Sequence, residues 1–333
     1  MSAAVQGFPF WRGLLLREYR EHRALFLYLP LASLLLALFL LWRLSLLAFE
    51  DGGQLQGALS LLDGSEVLTL LPLFSTPHTL YLALLLLSAC LYTADCLARE
   101  RQDQSFLFWQ SMPVSDGQTI VAKASAALLL MPLCYSLVLL GISLVLVLFS
   151  LIALLFGVVG FAGFAELLQL TFAANLLALF SGLLATLWIF PLIGWLALFS
   201  AYGTRWPFVL AVAVIVLLSA LETALLESET ISLLLHSRVN PFEFLILDFR
   251  EIPTRLLSYE LLSGVLLGSA LLVGAMTLRK ANDTHRALRL AGIVIAAAVA
   301  VVLEGSLSGR ETTGILLGNP FFDVSIPSFR AQD

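Results

Sequence analysis

The chain has 333 residues, 60% of them hydrophobic and 12% charged, with mean hydropathy +0.96 and formal net charge −5. A soluble domain carries roughly 25% charged residues, so these proportions, with the apolar residues gathered in blocks, exclude a water-soluble protein and describe an all-α polytopic membrane protein. Crossing a bilayer takes ~20 apolar residues as a helix, helices satisfy their own backbone in lipid, and the alternation of barrel strands is missing. The acidic balance gives no indication of nucleic acid as a partner. Cys90, Cys96 and Cys134 lie in or near apolar runs, as small hydrophobes rather than a disulfide framework. The first 23 residues lack the apolar core and small-residue cleavage site of a signal peptide, so the first span is expected to do the targeting.

In chain order, 8–23 reads FPFWRGLLLREYREHR. Phe8, Trp11, Leu15 and Tyr19 recur at helical spacing, with Arg12, Glu18 and Arg23 on other faces. This predicts an amphipathic interfacial helix over 1–23 rather than a frayed end of the first span. Span 1 is predicted near 24–42, with Pro30 inside it. After a polar loop, VLTLLPLF is too short to cross and is expected at the interface. Span 2 is near 78–98, span 3 near 124–156 and span 4 near 167–200. The last two exceed ~20 residues and must tilt, protrude or break, with Pro132 and Pro191 as the kink points. Asn175 and Gln169 in span 4 are able to hydrogen-bond across helices, but packing is the role expected of them. Span 5 is near 208–226. Segment 227–257 reads as two short amphipathic helices separated at Asn240-Pro241, and span 6 is near 257–278. The core is therefore 24–280. Residues 281–333 form a C-terminal extension whose apolar run at 288–304 is about long enough for a seventh crossing with help from its flanks, an interfacial helix or a partner-binding tail being the alternatives.

Arginine and lysine set the orientation. The N-terminal segment, the 99–123 loop, the turn at Arg205 and the 279–289 loop all carry the basic charge and all fall on one side. That side is expected to be the cytoplasm, which puts the N-terminus there.

Sites of chemistry are few. Neither lysine, Lys123 or Lys280, follows a glycine, so there is no P-loop. His22, His78, His236 and His285 are scattered, no metal-ligand spacing appears, and no hydrolase motif is present. A non-catalytic chain without a bound cofactor or metal is expected. Asp95 and Arg99 are spaced for an i,i+4 ion pair. Glu222, Glu227 and Glu260 at the outer ends of spans 5 and 6 either face an outer vestibule or are solvated helix ends.

Between spans 2 and 3 lies RERQDQSFLFWQSMPVSDGQTIVAK, residues 99–123. QSFLFW is a short amphipathic piece, Pro113 breaks it, and Ser115 is placed to cap a new helix leading through Lys123 into span 3. It reads either as a docking surface or as a loop anchored by its aromatics. Arg99-Glu100-Arg101, Phe106 to Trp109 (with Phe108 between), Met112-Pro113-Val114-Ser115 and Lys123 follow one another in an order that resembles the permease subunits of type-2 ATP-binding-cassette exporters. LLLREYREHR, with Trp11, Arg12, Arg17, Tyr19 and Arg20 in and before it, resembles their N-terminal elbow helix, and NPFEFLILDF the segment before their last span. The likeness runs over residues 8–280.

The resemblance implies a six-span core in the bacterial cytoplasmic membrane. It implies pairing with a second permease, identical or related, and two copies of a separate ATPase that bind ATP and magnesium and dock on the 99–123 loop and the elbow. Apolar span faces fit a hydrophobic or amphipathic cargo, such as a lipid, peptide or drug. The alternative is a stand-alone scaffold or secondary carrier. A carrier is expected to show inverted repeats around a midplane site, and no repeat relates 24–157 to 167–303.

Overall fold

The computed structural model describes residues 8–33, 35–36, 39, 43, 67–103, 115–157, 160–226, 228–239, 249–280 and 283–307. Among them the regular structure is entirely helical. Helix α1 spans Phe8–Glu21 and leads into α2, Ala24–Ser33. Then come α3 (Val67–Gln102), α4 (Asp116–Ser125), α5 (Met131–Leu155), α6 (Phe161–Trp188), α7 (Phe190–Tyr202), α8 (Pro207–Leu226), α9 (Thr230–Val239), α10 (Glu251–Leu256), α11 (Tyr259–Lys280) and α12 (Asp283–Leu307).

Among the described residues, six stretches are long and apolar enough to cross a bilayer: 80–102, 116–152, 161–188, 207–226, 259–279 and 285–302. They carry outward-facing side chains such as Leu144, Phe172, Val216 and Leu266. A belt of this size is stable facing lipid and a liability facing water, so the chain is a multi-pass membrane protein. The apolar run at 288–304 lies within α12, which packs against α7, α9 and α11.

VLTLLPLF is continuous with span 2. It forms the first turns of the 36-residue α3, and neither Pro72 nor Pro77 ends that helix.

Three prolines instead mark discontinuities. A π-helical turn, Ala24–Tyr28, precedes Pro30, and another, Ala126–Leu130, precedes Pro132. The long span 4 breaks at Ile189, ahead of Pro191, into α6 and α7. Each proline lacks an N–H and crowds the carbonyl four residues back. Pro132 thus leaves the Leu128 carbonyl free, and Thr186 Oγ1 on α6 shares its proton between that carbonyl, at 3.1 Å, and the Leu183 carbonyl of its own helix, at 3.0 Å. Beyond the break, the Trp188 carbonyl accepts from Arg238 Nη1 at 3.1 Å.

Helix α7 is the centre of the bundle, buried along almost its whole length between α3 and α11. Its approach to α11 depends on glycine. A Cβ on Gly194 would stand 2.7 Å from the Gly268 carbonyl, and one on Gly268 would stand 2.6 Å from Phe190 Cδ1. Small residues at such crossings let backbones meet where lipid gives no hydrophobic drive to association. At one end of α7, Ser200 Oγ accepts the Leu97 and Ala98 amides of α3, at 3.1 and 3.0 Å. This is the end at which the charged side chains gather.

Candidate functional site: a buried charge cluster

Helix α1 turns Leu14, Glu18 and His22 inward, residues four apart and therefore on one face. Opposite it, α4 begins at a capping box. Ser115 Oγ accepts the Gln118 amide and the Gln118 side chain accepts the Ser115 amide, which satisfies two orphan donors. Ser115 is thus the cap that its place in the sequence predicts. The cap sets the register that carries Lys123 inward two turns later.

Lys123 Nζ lies 3.0 Å from both carboxylate oxygens of Glu18 and 3.3 Å from Glu100 Oε1 at the end of α3. Glu100 also takes Arg17 Nη2 at 2.9 Å, and its other oxygen lies 3.0 Å from Arg279 Nη2 at the end of α11. Arg279 Nε in turn lies 3.1 Å from Asp116. Tyr92 donates to Glu18 Oε2 at 2.8 Å. Glu18, Lys123, Glu100 and Arg279 are all at most 5% exposed. Three cations thus meet three carboxylates, and α1, α3, α4 and α11 are joined at one point.

Charges this buried persist because each is paired: stripping one partner from such a pair costs about 3–5 kcal/mol. The cluster specifies position more than it adds stability. Four elements cannot slide past one another without separating ions in a low dielectric.

Two groups at the α1 end feel it directly. Burial acts to lower the Arg17 pKa, but the hydrogen bond and charge of Glu21, with Glu100 and Glu18, outweigh it and raise the value. Burial pushes the His22 imidazole below its ordinary value, and the Lys123 charge adds to this; Glu18, Asp95 and Glu21 oppose it. His22 also packs edge-on against the Tyr92 ring at 4.9 Å. Glu18, Glu21 and His22 each place a ligand atom within 4.8 Å of the others. Glu18, however, is committed to Lys123 and Tyr92, and Glu21 to Arg17 at 2.7 Å, which leaves no coherent set of free metal donors there.

The residues expected to meet a partner at the 99–123 loop differ in where they lie. Arg99 is exposed and pairs with Asp95 at 3.7 Å and with Asp103 at 4.0 Å. Glu100 and Lys123 turn inward, so they act on any partner only through the helices they position. Arg101 is half-buried and lies over Gly203, whose φ of +85° and lack of a Cβ make room for it. Phe106, Phe108, Trp109, Met112 and Pro113 lie outside the described residues.

On α1, Arg17 joins the cluster, Tyr19 packs edge-on to Phe26, Trp11 is half-buried, and Arg12 and Arg20 are exposed. Glu222 is neither solvated nor lining an open vestibule. It is buried and caps α9, accepting from Ser228 Oγ and from the Thr230 and Ile231 amides at 2.8–2.9 Å. Glu260 is half-buried, and its carbonyl accepts from Arg238 Nη2 at 2.6 Å. Glu227 lies outside the described residues. Asn175 does bond across helices, donating to Ser143 Oγ at 2.6 Å.

Glu18, Tyr92, Asp116, Arg238 and Arg279 belong to no motif that marks them as functional in the sequence. Glu18 shares a helix face with Leu14 and His22, which was visible in the sequence. The pairing of Arg279 with Glu100 and Asp116 was not. No family model matches the chain, and no curated protein or solved structure matches it.

Proposed function

We propose that this chain is the membrane-spanning permease subunit of an ATP-driven exporter of the type-2 ATP-binding-cassette kind. On this reading it sits in the bacterial cytoplasmic membrane with its N-terminus in the cytoplasm and pairs with a second permease. Two copies of a separate ATPase bind and hydrolyse ATP. The cargo is hydrophobic or amphipathic.

The observation that supports this most is the charge cluster. An exporter driven from outside needs a handle: a place where force on a loop or surface helix becomes movement of spans. Here the segment expected to contact the ATPase leads into α4, α4 is ion-paired through Lys123 and Asp116 to α1, α3 and α11, and α1 is expected to contact the ATPase as the elbow. A push on either element would reach two spans as one rigid displacement. The cluster has no exposed nucleophile, base or open ligand position, so a mechanical role suits it better than a chemical one.

The test is reconstitution. The chain, co-expressed with the soluble ATPase encoded beside it, is expected to co-purify with it and to move a lipid, peptide or dye probe across vesicles only with hydrolysable ATP. Failure of every neighbouring ATPase to bind, or transport that runs without ATP, would sink the proposal.

A further inference from the structure

Of the four arginines at the α1 end, Arg17 is the one paired among the described residues. Arg12, Arg20 and Arg23 are exposed, and among the described residues none of them has a hydrogen bond, ion pair or ring contact. At 100° per residue these three and Leu16 fall within about 80° of arc. Leu16 is 42% exposed, an apolar residue amid the cations. No acid shares the sector: Glu18 points to the opposite side and Glu21 is held by Arg17. The outward face of α1 is therefore a bare cationic stripe, while its inward face is fixed by the cluster.

The depth of the stripe follows from the same contacts. Arg23 adjoins the apolar helix Ala24–Ser33. The inward side of α1 is bonded to Glu100, two residues before α3 ends, and to Lys123 in the opening helix of the next span. Glu100 in turn is bonded to Arg279, one residue before α11 ends. α1 thus lies at the level where three spans leave the apolar region, which is the level of lipid phosphates.

We infer that the Arg12–Arg20–Arg23 face binds the headgroups of anionic phospholipids. Each arginine near a charged bilayer surface contributes ~1 kcal/mol of attraction, and Leu16 gives the face an apolar contact at the headgroup boundary. An acidic protein surface would also complement the charge, but depth favours lipid. The inference extends the export reading without resting on it, because binding is read on this chain alone.

The test uses the full chain in nanodiscs, with Cys90, Cys96 and Cys134 replaced by alanine and a fluorophore at Gly13→Cys, where an added side chain meets open space. Quenching is compared for phosphatidylglycerol and phosphatidylcholine spin-labelled high on the acyl chain. An enrichment of phosphatidylglycerol of about fivefold or more is expected, reduced at about 0.5 M salt. It should vanish in R12Q/R20Q/R23Q and survive in R12K/R20K/R23K, both of which leave the inward contacts of α1 intact. Equal quenching by the two lipids in the parent chain overturns the inference, as does a preference that persists in the glutamine variant. If the lipids quench equally and the fluorophore is shielded only when the ATPase is added, the face belongs to a protein and the lipid assignment is wrong.

Discussion

Lys123 Nζ stands 3.0 Å from each oxygen of the Glu18 carboxylate, across a sequence separation of 105 residues. Both side chains are almost fully buried. The pair fastens the surface helix α1 to the start of span 3, and through Glu100 it extends to the ends of spans 2 and 6.

Removing the cation should therefore harm more than removing the pair. Lys123→Met leaves Glu18 and Glu100 buried without their shared partner and is expected to cost about 3–5 kcal/mol. Lys123→Met with Glu18→Gln should recover part of that loss. Unfolding of the purified chain in mixed micelles measures both. Equal stability of the single variant and the parent would remove the cluster from the account.

Coupling should respond separately from folding. If the cluster carries force, variants that fold but loosen it, such as Asp116→Asn at its more exposed edge, should retain ATPase binding and lose transport per ATP hydrolysed. The ratio of transport to hydrolysis in vesicles is the readout, and an unchanged ratio would argue for a purely structural lock.

A pH dependence follows from His22. Its folded pKa lies below its ordinary value of 6.5 because burial and the Lys123 charge disfavour the imidazolium. The unfolded chain therefore binds the proton more readily. The stability from neutral His22 is complete above 6.5 and is lost as pH falls through the lower, folded value. Stability measured from pH 8 down to 5 should fall at the acid end, and His22→Phe should flatten that fall.

Thr186→Val should expose the cost of the Pro132 break. It leaves the Leu128 carbonyl without its donor inside the membrane, where such bonds are worth about 0.6–2 kcal/mol. Replacing Pro132 by alanine restores the helical donor, so the same Thr186 change should cost less in that background. A double-mutant cycle that shows no coupling would mean the hydroxyl is not compensating for proline.

Gly268→Leu should be among the most damaging substitutions in a span. Any Cβ there meets the Phe190 ring and carbonyl below 3 Å, and the backbone atoms cannot yield as a flexible side chain would. Overpacking typically costs about 1–3 kcal/mol, and here it would also separate α7 from α11. Loss of monodisperse protein is the expected outcome, whereas Gly141→Leu, which faces open space, should be tolerated.

The membrane class, spans 2 to 6 and the breaks at Pro132 and Pro191 were legible in the amino-acid sequence because each is a local sum: hydropathy over twenty residues, or one missing N–H; the second half of span 1, residues 34–42, lies largely outside the described residues. Ser115 as a cap was legible for the same reason, since its partner is three residues away. Glu18, Glu100, Lys123 and Arg279 could be read individually as charges near helix ends, and as such they pointed to orientation and to a surface contact. That they meet in one buried cluster depends on how four helices pack, and no local pattern encodes a pairing between residues 18 and 123. Tertiary structure alone also decided which arginines of α1 are spent: Arg17 is drawn inward by Glu100, and Arg12, Arg20 and Arg23 are left facing out. The physical reason is that burial makes an unpaired charge too costly, so the fold selects partners for the charges it encloses and leaves the rest to the membrane surface.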